Sequence, residues 1–245
     1  MDITTNVPTT TLEEFDVSEE VLAEEPGARR RLLGIATLIA IAVLLYMAFV
    51  FAPEDAQQGP PQRIFYIHVP AAWIGFLAFF VVFVASIGFL ATGKRRYDDV
   101  AAASAEVGVV FTTGVLITGP LWGRPVWGVY WTWDPRLTSF MMLWLLYLSY
   151  LVLRGYVVEP ARRARYSAVL GIVGFLDVPI VYLSVRWWRS EHPLQVVFER
   201  DGMPAEMLLS LLVGVAAFTL MYLYLMSVRI RVGRLGRQAE EEVAA

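Results

Sequence analysis

Apolar residues in this chain are bunched into long runs instead of recurring at the period of a surface helix. Residues 32–51, 69–90 and 207–228 run for twenty, twenty-two and twenty-two positions without a charge. Each run is long enough to cross a hydrocarbon layer of about 30 Å as a helix. Three further runs are flawed: 100–121 contains Glu106, 137–153 is clean but short, and 167–185 contains Asp177 and Pro179. In hydrocarbon each backbone donor and acceptor has to be paired within its own segment, so all six runs predict helices. The pattern predicts an all-α integral membrane protein, its six transmembrane helices occupying residues 32–228.

Composition sharpens this reading. A chain of 245 residues with 57% hydrophobic content and 18% charge could be an ordinary soluble domain, and only the bunching decides against that. Cysteine is absent, which excludes disulfides, a redox C-x-x-C pair, thiolate metal ligation and the C-x-x-C-H site of covalent haem attachment. Residues 1–27 hold eight acidic side chains and no basic one. They lack the basic start of a secretory signal, and residues 1–31 read as a solvated, disordered acidic tail. Residues 229–245 read as a basic, then acidic, tail.

Charge sets the expected orientation. Fourteen of the 20 Lys and Arg residues fall at the two tails and in alternate connections, and six fall on the opposite side. The positive-inside rule then puts both termini in the cytoplasm. Three segments face outward: 52–67, 121–139 and about 186–206. No nucleic-acid partner is expected; the bilayer is.

Those outward segments carry the unusual residues. The stretch LWGRPVWGVYWTWDPRLTS, residues 121–139, holds Trp122, Trp127, Trp131 and Trp133, and Trp187 and Trp188 lie in the last outward segment. An interfacial aromatic belt would populate both faces, yet the inner face has no tryptophan. The two histidines, His68 and His192, also fall at the outer boundary. His68 directly precedes Val69 and Pro70 at the expected start of the second helix, where proline is tolerated in the first turn.

A histidine near a membrane boundary can satisfy a hydrogen bond or ligate a metal. The aromatic surface beside this pair suits a large flat cofactor. A porphyrin would need apolar faces, axial donors for its iron and cations for its propionates. Arg124, Arg136, Arg186 and Arg189 are cation candidates, with lipid headgroups as their other reading. Asp134 before Pro135 reads as the N-cap of the fourth helix, which would also fix where Trp131 and Trp133 point. From these residues alone the reading is an outer-face site for a flat aromatic or metal-bearing ligand.

The run WGRPVWGVYWTWDPRLTS, with RIFYIHVPAAW and DVPIVYLSVRWW, resembles the tryptophan-rich WWD motif of the CcmC family, haem exporter protein C of cytochrome c maturation. The likeness covers residues 52–192 motif by motif and the six-helix layout to about residue 228. It implies that an external WWD segment, residues 121–139, holds haem b non-covalently as transient cargo, with His68 and His192 as axial metal ligands. The matching motif positions are Trp122, Trp127, Trp131, Trp133 and Asp134, with Arg124 and Arg136 as candidate cofactor contacts. Tyr130 stands where some members carry another tryptophan. The resemblance further implies delivery to the haem chaperone CcmE, an ABC ATPase and permease pair, CcmA and CcmB, a small membrane subunit, CcmD, and an inner-membrane location.

Other signals carry less. GFLATGKR, residues 88–95, nearly spells a phosphate loop, but Arg95 replaces the required Ser or Thr and a membrane helix precedes it; Gly93 reads as a helix end. Asp177 is an intramembrane acid two residues before Pro179, which should kink the fifth helix. It serves either that kink or a partner or polar path. Glu106 is close enough to the cytoplasmic end to be solvated. No nucleophile or proton-transfer constellation is visible, so the chain is not expected to be an enzyme. A transporter of another class and a purely structural subunit are the competing readings.

Overall fold

The structure is a computed structural model that describes residues 27–188 and 203–244. Seven α-helices are found among them: α1 (Ala28–Tyr46), α2 (Phe65–Thr92), α3 (Arg95–Trp127), α4 (Pro135–Tyr156), α5 (Pro160–Phe175), α6 (Asp177–Trp187) and α7 (Ala205–Ala244). A π-helical turn, Met47–Phe51, continues α1, and a 3₁₀ turn, Pro60–Ile64, leads into α2. By length and composition, six helical stretches among the described residues can cross a membrane: Ala28–Phe51, Pro60–Thr92, Arg95–Trp127, Pro135–Tyr156, Pro160–Trp187 and Ala205–Ala239. These are the six spans the apolar runs predict. Leu, Ile, Val and Phe side chains on their outer faces stay exposed, as a lipid-facing surface requires.

α2 occupies the centre, packed against α3, α5 and α7, while α1 pairs with α7 and α4 with α5 and α6. Lipid is as apolar as leucine, so helices here associate through close packing and internal hydrogen bonds. Glycines allow the closest approach. A Cβ at Gly75 would lie 2.6 Å from Thr112 Cγ2, and one at Gly108 would lie 2.7 Å from Phe79 Cε1. Phe79 cannot retreat, because its ring stacks on Tyr147 at 3.6 Å. Buried hydroxyls tie the same helices together: Ser104 Oγ donates to Ala78 O at 2.8 Å, leaving its oxygen to accept from Tyr222 at 2.7 Å.

α2 ends as expected at Gly93, left-handed at φ 66°, whose N–H donates to Phe89 O at 2.8 Å. Its start differs from the expectation. The helix begins at Phe65, so Pro70 sits in the second turn and His68 inside the first. Pro70 has no N–H for the carbonyl of Tyr66, and Gly214 of α7 packs against both, its absent Cβ 3.0 Å from Pro70 Cγ and 3.1 Å from Tyr66 O. The fifth span breaks at Leu176, between α5 and α6, which is the kink Pro179 predicts.

The end of the bundle away from the tryptophans is held by ion pairs. Arg154 binds Asp98 through two contacts, at 2.6 and 3.0 Å, Arg237 binds Asp99 at 2.7 Å, and Arg229 pairs with Glu106. Glu106 thus has a protein partner where solvation alone was expected. The segment from residue 229 continues α7 as helix and docks on α3 through Arg229 and Arg237.

Gly108→Ala should destabilise the bundle by about 1–3 kcal/mol through overpacking against Phe79. Gly114→Ala, on the same helix with nothing near its Cβ, should be neutral or stabilising by up to about 1 kcal/mol. Thermal unfolding of the two variants in detergent checks this; equal melting temperatures would refute the packing argument.

Candidate haem site at the tryptophan end

Between α3 and α4 the chain makes a short irregular connection fixed at both ends. Gly128 adopts φ 79° and donates its N–H to Arg124 O at 3.0 Å, closing α3. The Arg124 side chain donates to the Gly128 carbonyl, its guanidinium 5.5 Å from the Tyr130 ring centre. At the other end Asp134 caps α4 as the sequence predicts. Its Oδ1 accepts from the N–H groups of Arg136 and Leu137 at 2.9 and 3.1 Å, its Oδ2 accepts from Thr132 at 3.0 Å, and Pro135 opens the helix.

This framing turns the aromatic residues onto a cleft. His68, Gly119, Trp122, Trp127, Tyr130, Trp131, Thr132 and Leu137 line a narrow cleft. His68 comes from α2 and Trp122 from α3, their rings 5.8 Å apart and edge-on. Trp122 is anchored by donating its indole N–H to Gln58 Oε1 at 2.9 Å. Gln58 in turn is positioned by Asp55, whose Oδ1 accepts its backbone N–H at 2.7 Å.

The sequence-predicted residues therefore divide. His68, Trp122, Trp127 and Trp131 share the cleft. Trp133 does not line it: this side chain is 74% exposed and stands edge-on to Trp131 at 5.8 Å. Arg124 is engaged with its own turn and with Tyr130. Arg186 ends α6, and His192 and Arg189 lie outside the described residues. Arg136 is partly buried, and its Nη1, the Trp131 indole N–H and the Thr138 hydroxyl are buried without a protein hydrogen-bond partner. Such buried donors are costly unless something accepts from them.

Sequence reasoning missed Gln58, Thr118 and Gly119. Thr118 Oγ1 lies 2.9 Å from His68 Nδ1, and a Cβ at Gly119 would sit 3.3 Å from His68 Cε1. The pairing of α2 with α3 reveals Thr118 and Gly119, and the contact of the preceding loop with Trp122 reveals Gln58.

Six helices able to span a membrane, with an aromatic cleft containing a histidine at one end, define a polytopic membrane protein. The family model described as CcmC, Heme exporter protein C, matches residues 19–245, and the chain belongs to that family. It is 43% identical over 195 residues to Heme exporter protein C of Bradyrhizobium diazoefficiens, covering 79% of this chain and 74% of that one. It is 31% identical over 216 residues to Heme exporter protein C of Haemophilus influenzae, covering 87% and 88%. A putative cytochrome c biosynthesis ccmC-like mitochondrial protein of Marchantia polymorpha is 36% identical over 151 residues, 62% of this chain and 64%, under two thirds, of that one.

Replacing Asp134 with Ala should cost about 1 kcal/mol of stability through loss of the cap, while Asp134→Asn, also a good cap, should recover most of it. Thermal melts of the three proteins check this; an Asn variant as unstable as the Ala variant would show that Asp134 acts through its charge.

Proposed function

We propose that this chain binds haem b non-covalently, as cargo, at the outer face of the inner membrane and passes it to the haem chaperone CcmE for cytochrome c maturation. The observation that carries this reading is that His68, Trp122, Trp127 and Trp131, from three separate segments, line one cleft. Family membership supports the role, and the unpartnered donors of Arg136 and Trp131 suit the carboxylates of a porphyrin.

In this reading His68 supplies one axial nitrogen and His192 the other, indoles cover the macrocycle, and Arg136 takes a propionate. Two imidazoles saturate the iron, so release to the chaperone proceeds by ligand exchange. Trp133 and Tyr130, exposed on the rim, are placed to meet haem or the incoming chaperone. The charge asymmetry of the sequence puts the termini in the cytoplasm and this cleft outside. The partners proposed on the family resemblance are CcmA, CcmB and CcmD. ATP hydrolysis is assigned to CcmA, because no phosphate loop is legible in this chain.

Purified protein supplied with haem should give a low-spin Soret and α/β spectrum. His68→Ala and His192→Ala should each disturb it, whereas Arg136→Ala should weaken retention and leave the spectrum low-spin. Unchanged spectra in both histidine variants would overturn axial ligation by this pair, and a chain that takes up no haem would favour a purely structural subunit.

A further inference from the structure

Resting on that reading, we propose that Thr118 is a positioning residue for His68: its hydroxyl fixes the imidazole tautomer that presents Nε2, and not Nδ1, to the iron. The argument is one of proton accounting. Thr118 Oγ1 lies 2.9 Å from His68 Nδ1 and 2.8 Å from the carbonyl oxygen of Gly114, one turn earlier on α3, with Val115 O at 3.4 Å. A hydroxyl has one proton to give and two lone pairs to receive. Gly114 O can only accept, so the threonine proton goes to it, and the oxygen is then an acceptor toward Nδ1. Were the proton turned to Nδ1 instead, two oxygens would face each other at 2.8 Å with no hydrogen between them. His68 therefore carries its proton on Nδ1, and the ring's lone pair lies on Nε2.

The surroundings fix the ring as well as the proton. Gly119, next to Thr118, leaves room for Cε1, where a Cβ would approach to 3.3 Å, and Trp122 meets the imidazole edge-on at 5.8 Å. Thr118, Gly119 and Trp122 lie within one turn and a half of α3, so one helix face holds the ring on three sides. Histidine ligands commonly donate the second ring N–H to a carboxylate, carbonyl or water, which raises their basicity. A neutral hydroxyl, even when strengthened by donating its own proton, is a milder acceptor than a carboxylate. It orients the imidazole without pushing it toward the strongly basic ligand a carboxylate would create, which suits a ligand that must let its iron go.

Two measurements on the full-length chain test this. In apo-protein labelled with ¹⁵N-histidine and carrying His192→Ala, His68 is the sole remaining imidazole of the two in the sequence. With the ring neutral, the nitrogen spectrum should show protonated Nδ1 and unprotonated Nε2, and Thr118→Val should convert this to a mixture. The opposite tautomer in the parent would overturn the proposal. In the haem-loaded protein, Thr118→Val should lower retention about tenfold and raise the iron midpoint potential, and Thr118→Ser should restore both. If Thr118→Val left retention and potential unchanged while His68→Ala abolished the low-spin spectrum, the proposal for Thr118 would fail and the haem reading would stand. An intact low-spin spectrum in His68→Ala would overturn both.

Discussion

The close packing of α2 on α3 is the constraint on which the site depends. The two helices are joined by Gly93 and Lys94 alone, and so tight a connection leaves them no choice but to run antiparallel as neighbours. Register then follows from distance along each helix. His68 lies 24 residues before the end of α2 and Thr118 lies 23 residues after the start of α3, so both rise about 36 Å from the turn at 1.5 Å per residue. Small residues at Gly75 and Gly108 let the backbones approach closely enough for a threonine hydroxyl to reach an imidazole. A wider spacing would leave His68 a residue at a membrane boundary and nothing more.

That packing also separates the rigid part of the protein from its chemistry. In the interior, several polar side chains are spent on neighbouring helices: Ser104 on Ala78 and Tyr222, Trp144 on Thr113 at 2.8 Å, Tyr147 on Gly171 O at 3.1 Å. At the end opposite the tryptophans, carboxylates of α3 are spent on arginines of α4 and α7. At the tryptophan end, buried donors of Trp131, Arg136 and Thr138 are left without protein acceptors. The connection there is short and held by Gly128 and Asp134, so the indoles are set by backbone geometry at both ends of the segment. Irregular backbone is permitted because it stands beyond the apolar core of the bundle.

Much of this was legible in the sequence, for identifiable reasons. Uncharged runs of twenty residues have one physical solution, and all six spans follow from them. The Gly93 helix end, the Asp134–Pro135 helix start and the break near Pro179 follow from local rules that need no neighbours. Which indoles share the cleft did not follow, because Trp131 and Trp133 alternate in an extended segment and only the fold decides which of the two turns inward. α2 starts about one turn earlier than the sequence predicts, because Pro70 reads as a first-turn proline. In the structure the carbonyl it leaves unpaired is covered by Gly214, about 140 residues away in sequence. Thr118 and Gly119 were invisible for a related reason: neither residue type is unusual in a membrane helix, and their meaning comes from a partner fifty positions distant.

The same geometry weighs against a transporter of another class. Such a protein sets facing polar groups near the midplane and interrupts helices at corresponding places in two halves. The described interruptions here do not correspond. The π-helical turn Met47–Phe51 closes one end of the first span, its Ala48 carbonyl capped by Arg63, while the break at Leu176 lies inside the fifth span. Asp177, beside that break, has one carboxylate oxygen buried without a hydrogen-bond partner. One acid at one broken helix makes no path across the bilayer, because an ion or polar solute would need a succession of partners at each depth. Other polar groups of the bundle bond across helices, as Ser104 does to Ala78 and Tyr147 to Gly171, or to their own helix, as Thr112 does to Gly108. Interruptions that do not correspond, and a single intramembrane acid beside one of them, are not the pattern of a transporter built from two matching halves.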